Sequence, residues 1–366
     1  MRTLWLVLIC GLVSCSLLEN EAKSITKGDN DFETIDVEFA TGFRISKTAQ
    51  GFEILVRNPQ DTTQILGEYS LSTFDTSKLR IPIEKAVLNS TTFGAFFDKL
   101  EAVDDVKGMT YTKSVMNPRL TEKIESGVIQ EVISGNGMDF ERVLEIDPDV
   151  VFSYSYGEAD FSRYEELGIP IVLLMDYKES HPLGRAEWIK VVGCFLGKYE
   201  EAEQIFKEVK ESYEEVKLSA MLHSSLPSAF TGSRYGDFWY APGRDSYIAQ
   251  FIRDAGATYA FEHVEGQSST ELDFEKALLD ISKTDFWGLV TSSEEPLTKA
   301  DILNMSPFYE DLKAYQADQI FVCNTQESDY FGDAIMEPDL ILADLYKIFH
   351  PQSGQDSSYN YFKPIH

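Results

Sequence analysis

Asp139-Phe140-Glu141-Arg142-Val143-Leu144 and Asp273-Phe274-Glu275-Lys276-Ala277-Leu278 are one six-residue pattern written twice, at an offset of 134 residues. Each copy opens a short helix. Each leads through a short helical stretch to an acidic turn, Pro148-Asp149 in the first and Lys283-Thr284-Asp285 in the second. An apolar strand follows in both, Val150-Val151-Phe152 and Phe286-Trp287-Gly288-Leu289-Val290. Six residues alone would match by chance. The same match in the same helix–strand context argues for two related lobes.

Outward from the repeat, short apolar strands alternate with helical stretches. Residues 85–88 and 170–175 read as strands and 92–100 as a helix in the first half. Strands at 228–230 and 319–323, with helices at 246–255 and 273–279, continue the pattern in the second. Continuous apolar runs flanked by helices indicate a parallel sheet covered on both faces. Between the halves, 185–195 reads as one helix ended by Gly197, and 199–221 as another. The second carries Ala202, Ile205, Phe206, Val209, Tyr213 and Val216 at spacings of three and four. Such a helix is roughly 30 Å long, enough to join two lobes. At the front, 32–72 alternates as short antiparallel strands. The expected fold class is α/β, with two three-layer lobes of mainly parallel sheet joined by a long linker helix, plus an N-terminal antiparallel β extension. The expected segments are 1–14 (signal), 15–31 (tether), 32–182 (N-terminal lobe with the extension), 183–222 (linker helices) and 223–366 (C-terminal lobe).

Arg2, the apolar run Leu4-Trp5-Leu6-Val7-Leu8-Ile9 and Leu12-Val13-Ser14-Cys15 have the order of a secretory signal ending in a lipobox. The run falls short of the roughly 20 residues that span a bilayer. Cys15 is therefore expected to be lipidated, with the chain exported and lipid-anchored at a bacterial membrane, facing the periplasm. Cys10 lies in the signal, Cys194 and Cys323 are expected to be buried free thiols, and no Cys-x-x-Cys pair supports zinc. With 61 acidic against 32 basic residues, a net charge of −29, the surface repels nucleic acid. The five histidines (His181, His223, His263, His350, His366) have no ligand spacing, which argues against a bare-metal site. No Gly-x-Ser-x-Gly, His-Glu-x-x-His or phosphate loop points to an enzyme, and no cofactor is implied. Paired carboxylates for a hydrolase, and a cell-surface capture or adhesion lipoprotein, remain the alternatives.

The segment 138–151, Pro182-Leu183-Gly184-Arg185-Ala186-Glu187-Trp188, Trp239-Tyr240-Ala241-Pro242-Gly243-Arg244-Asp245-Ser246-Tyr247, and Pro338-Asp339-Leu340-Ile341 with Ile348-Phe349-His350-Pro351 together resemble the periplasmic binding proteins that carry iron chelates and cobalamin. The resemblance covers roughly residues 80 to 355, with Arg244 standing where the family pattern has a second Gly. It implies a binding protein that hands a metal chelate (a ferric siderophore foremost, haem or cobalamin next) to an ABC permease with its ATPase. It also implies one docking Glu on each lobe, Glu141 and Glu275, meeting arginines of the permease. Two carboxylates related by a pseudo-two-fold suit a two-fold symmetric partner. A monomer is expected.

In open α/β sheets a ligand sits beyond the carboxyl ends of the strands. There the chain carries Tyr154, Tyr156 and Tyr177, then Arg185, then Arg234, Trp239, Tyr240 and Arg244, and finally Gln326 and Tyr330. Rigid aromatics offer flat walls to a large chelate and arginines answer its oxygens. The expected ligand residues are Tyr154, Tyr156, Arg185, Arg234, Trp239, Tyr240, Arg244 and Tyr330. The three arginines lean toward an anionic ferric complex.

Overall fold

A computed structural model describes residues 32–135, 137–155, 161–351 and 358–365. The signal segment, Cys15, Tyr156 and His366 lie outside these residues.

The extension is a five-stranded sheet of β1 (Glu33–Thr34), β2 (Phe43–Thr48), β3 (Gly51–Asn58), β4 (Asp61–Ser72) and β5 (Leu79–Arg80), in that order. All its pairings are antiparallel except β4 with β5. In β3 the buried residues alternate as Phe52, Ile54 and Val56, so one face packs and the other meets solvent. Its packed face lies on the linker, with Phe43 edge-on to Trp188 at 4.9 Å and Phe52 at 5.6 Å from Tyr199. The sheet runs on to Arg80, beyond the expected 72.

In the N-terminal lobe the chain runs β6 (Ala86–Leu88), α1 (Thr91–Lys99), β7 (Val106–Met109), α2 (Pro118–Glu125), β8 (Gln130–Glu131), the hairpin β9 (Ile133–Ser134) and β10 (Gly137–Met138), α3 (Phe140–Ile146), β11 (Val150–Ser153), α4 (Ser162–Glu166) and β12 (Ile171–Leu173). The sheet order is β12-β11-β6-β7-β8, all parallel. Every residue of β6 and β11 is buried, as strands covered on both faces must be.

The linker is α5 (Pro182–Ala186), α6 (Ile189–Phe195) and α7 (Tyr199–Met221). The single helix expected over 185–195 is two. The first begins earlier because Pro182 needs no partner for its nitrogen and His181 caps it, Nδ1 accepting from the Leu183 amide at 3.1 Å. At Glu187-Trp188 the backbone tightens, Lys190 and Val191 amides donating to the Glu187 and Trp188 carbonyls at 3.0 Å. The α7 residues Tyr199, Ala202, Phe206, Tyr213 and Ala220 are buried. Tyr213 donates to Asp254 at 2.8 Å and Lys217 pairs with it at 3.2 Å, tying the linker to the C-terminal lobe.

That lobe runs β13 (Ser228–Thr231), β14 (Ser233–Tyr235), β15 (Phe238–Pro242), α8 (Tyr247–Asp254), β16 (Thr258–Tyr259), β17 (Ser269–Asp273), α9 (Phe274–Ile281), β18 (Phe286–Thr291), α10 (Lys299–Met305), α11 (Lys313–Gln316), β19 (Ile320–Asn324), α12 (Pro338–Phe349) and β20 (Lys363–Pro364). Its main sheet, β16-β13-β18-β19-β20, is parallel until the antiparallel β20. A separate antiparallel sheet, β14-β15-β17, has no counterpart in the sequence reading.

The repeat is structural. Asp139 caps α3 by accepting the Arg142 amide at 3.2 Å, and Asp273 caps α9 by accepting the Lys276 amide at 3.1 Å. The acid before each following strand ties to the neighbouring strand's start. Asp149 accepts the Glu84 and Lys85 amides at 2.7 and 2.9 Å, and Asp285 accepts the Ser228 amide at 2.8 Å.

Candidate ligand cleft

Three adjoining cavities, of about 270, 540 and 300 Å³, meet at Tyr247. Ser246 caps α8 through the Ala249 amide, which sets Tyr247 as the helix's first residue and presents its ring to all three. The first cavity lies between the lobes, with Thr92 and Tyr177 on one side and Tyr330 and Phe331 on the other. The third adds Gln60 of the extension and Gln267 opposite. Both lobes and the extension thus contribute walls.

Arg185, on α5, lines the first cavity, with its guanidinium 4.4 Å from the Tyr247 ring centroid. Its nearest carboxylate oxygen is Asp176 Oδ2 at 3.5 Å, and its own Nε is buried without a hydrogen-bond partner. Burial pushes the Asp176 carboxyl above its usual range, and Arg185 draws it back only in part. The result is a fork of donors with fewer acceptors than it can serve, at the cavity wall. Burial, with Tyr247 beside it, holds the Tyr330 hydroxyl well above its usual range, so it stays a neutral donor.

The other expected residues divide. Tyr240 lines the second cavity, its hydroxyl donating to Glu271 at 2.8 Å. Tyr154 stands behind Tyr177, ring centroids 6.1 Å apart. Trp239 is not a cleft wall. It is wholly buried among Phe230, Trp287 and Tyr309, because adjacent strand residues point to opposite faces and Tyr240 takes the cavity side. Arg234 pairs with Trp239 in register, so it shares that far face, and its guanidinium lies 4.1 Å over the Phe274 ring. Arg244 lines none of the three cavities and pairs instead with Glu265 at 3.2 Å and Asp245 at 3.7 Å. Of the three arginines only Arg185 reaches the cleft. Phe251 and Phe331 were not singled out from the sequence, and Tyr247 only as the last residue of the 239–247 segment, since a helix Phe and a loop Phe carry no signal of a shared cavity.

One side of the cleft is closed by residues 329–337, between β19 and α12. The Thr91 and Thr92 hydroxyls of the N-terminal lobe donate to the Phe331 carbonyl at 3.2 and 2.8 Å. Asn117 donates to Asp333 at 3.0 Å and Lys99 pairs with Glu337 at 2.9 Å. Burial, then the nearby Asp333, raises the Asp329 carboxyl from 3.8 to about 6. Because the folded value is the higher one, its contribution to stability is full below the ordinary value and is lost as pH rises through about 6. Asp329→Asn is expected to remove that loss. In thermal melts its Tm advantage over the parent should grow between about pH 4.5 and pH 7.5. A pH-independent difference would show that Asp329 does not titrate in this strap.

Glu141 and Glu275 sit exposed in the first turns of α3 and α9 and line none of the three cavities, with Arg163 3.9 Å from Glu141. Cys194 and Cys323 are free and buried. His223 and His350 stack at 3.9 Å, beside Tyr346, at the C-terminal end of α7. Among the described residues, no group of three or more His, Cys, Asp or Glu is placed to hold a metal ion, and no helix is long and apolar enough to cross a membrane.

A family model described as periplasmic binding protein matches residues 90–327. An uncharacterized lipoprotein of Methanocaldococcus jannaschii is 25% identical over 333 residues, 87% of this chain and 78% of its own. A periplasmic heme binding protein from Pseudomonas aeruginosa superposes with a TM-score of 0.60 at 14% identity, over 78% of this chain and 98% of that one. A structure described as an ABC-type Fe3+-hydroxamate transport system from Saccharomonospora viridis gives 0.55 at 18% identity, over 75% and 94%.

Proposed function

The chain belongs to the periplasmic binding protein family, and on that premise we propose that it captures an anionic metal chelate between its lobes and delivers it to an ABC importer. The observation that carries this reading is Arg185, a partly unsatisfied guanidinium at an aromatic cavity walled by both lobes. A ferric siderophore fits first, its carboxylate, hydroxamate or catecholate oxygens completing the Arg185 fork. Haem, through its carboxylates, fits next, and cobalamin after both. The protein supplies capture without chemistry. Cys15 would carry the lipid that tethers the exported chain beside its permease, as a monomer.

A thermal-shift panel tests the ligand class, using ferric hydroxamates, ferric catecholates, haem, cobalamin and free ferric ion. A ligand at 100 times its Kd adds about 2.7 kcal/mol, a shift of several degrees. A saturating shift with an anionic chelate and none with the free ion is expected. Silence with every chelate would reject the reading. For delivery, the Glu141→Ala/Glu275→Ala double variant should bind chelate as the parent does yet lose uptake in cells deleted for the native protein. Undiminished uptake would remove both carboxylates from the docking role.

A further inference from the structure

The second cavity is the largest of the three and differs in kind. From Tyr247 it extends into the C-terminal lobe, bounded by Gly288, Leu289 and Val290 of β18, by Ile248 and Phe251 of α8, and by Leu345 of α12. No Asp, Glu, Lys, Arg, His or Cys lines it. Gly288 helps shape it, since a Cβ there would stand 2.5 Å from the Phe321 ring, which forms part of the wall.

Its inner wall is buried and apolar (Phe251, Ile252, Phe321, Leu345), while Val290 and Phe331, 46% and 62% exposed, stand at its mouth, so it is a pocket open to solvent whose apolar wall stays wet until a ligand covers it. A charged group would not enter a space with no counter-charge. The pocket adjoins the Arg185 cavity, the two sharing Tyr247, Phe251, Tyr330, Phe331 and Ile341. A ligand held by its anionic part at Arg185 can therefore extend an uncharged part inward past Tyr247 and Tyr330. We propose that this cavity is a second subsite, taking a hydrocarbon limb such as an acyl chain, so that the ligand is an amphiphilic chelate. The proposal rests on the chelate reading for the head group and on the cavity itself for the limb.

The test compares a ferric trihydroxamate with the same chelate bearing a dodecanoyl chain, by titration calorimetry. Each methylene withdrawn from water strengthens binding about fourfold, so three or four inserted methylenes should give roughly 100-fold. Val290→Trp, on the same strand face as Gly288, and Leu345→Phe, which fill the cavity, should abolish that gain and leave the chain-free chelate's affinity unchanged. A dansyl-labelled fatty acid, titrated by fluorescence, probes the cavity without any metal. It should bind the parent and be lost from both variants.

Equal affinity of the two chelates for the parent would overturn the subsite and leave the Arg185 reading standing. If neither chelate bound while the dansyl probe bound the parent and not the variants, the subsite would stand and the chelate reading would fall. Haem binding abolished by the filling variants, with no gain from the acyl chain, would replace the hydrocarbon limb by a planar macrocycle. Failure of both chelates and probe would overturn the proposal outright. The parent comparison needs no variant, so a misfolded variant does not rescue it.

Discussion

Glu187→Ala is expected to lower folding stability by about 3–5 kcal/mol, the usual result of removing one member of a buried ion pair. Glu187 is fully buried at the end of α5, and its carboxylate accepts the amides of Glu38, Phe39 and Ala40 at 2.9, 2.8 and 2.8 Å. It also receives the Lys190 ammonium at 2.9 Å, itself buried and 4.7 Å from the Phe206 ring centroid. Alanine would leave three amides facing a void with their solvation lost and nothing in return, and would leave the Lys190 ammonium only the Asp36 carbonyl at 3.3 Å. For lobes of this size the Tm should fall by roughly 10 °C. Glu187→Gln keeps the shape and should fall less. The loss should be local first, because these amides belong to the connection between β1 and β2 of the extension. Limited proteolysis should cut within residues 32–80 before either lobe is attacked. Glu179 gives the extension its second hold, accepting the Thr41 and Gly42 amides and the Trp188 indole N–H at 3.0, 2.9 and 3.1 Å. An unchanged Tm in Glu187→Ala would show that the extension is held by its apolar face alone.

Arg185→Ala should weaken the anionic chelate by about 10- to 100-fold, the loss of one or two charge-assisted hydrogen bonds. It should also destabilise the protein, because Asp176 would be left buried without its partner at 3.5 Å. The two effects separate in the double variant Arg185→Ala/Asp176→Asn. Asparagine removes the orphaned charge, so the Tm should return toward the parent value while affinity stays low. Arg185→Lys keeps the charge and loses the planar fork, and should bind between the parent and alanine variants. Calorimetry gives the affinities and melts give the stabilities. Parental affinity in Arg185→Ala, with only the Tm lowered, would make Arg185 a structural partner of Asp176 and take the head-group site elsewhere.

Local chemistry made much of the scaffold readable. The α7 helix runs over the expected residues, since 23 residues with an apolar stripe and no Gly or Pro leave little choice. The repeated Asp-Phe-Glu opens a capped helix in both lobes because the Asp side chain needs only its own helix's amides. The parallel sheets followed from apolar runs too continuous for a half-exposed strand. These are all near-neighbour effects, visible wherever the partner lies a few residues away.

The cleft was less readable, for the opposite reason. The aromatic and arginine residues of the loops were visible as types, and Arg185, Tyr240 and Tyr330 do line the cavities. Trp239 and Arg234 carry the same chemistry one strand face away, and their burial is decided by what lies across the β14–β15 pairing and under α9. Arg244 was diverted by Glu265, twenty-one positions along. The buried acids Glu179 and Glu187 look in sequence like any surface carboxylate of a helix, and only the amides of residues 38 to 42, more than a hundred positions away, give them their work. The sequence by itself determined the capped helices of the repeat, the apolar parallel strands and the long helix α7, because helix, strand and cap are set by neighbours along the chain. Which side chains face the cleft, and which hold the extension in place, only the tertiary structure decided, because burial and pairing depend on distant segments that meet after folding.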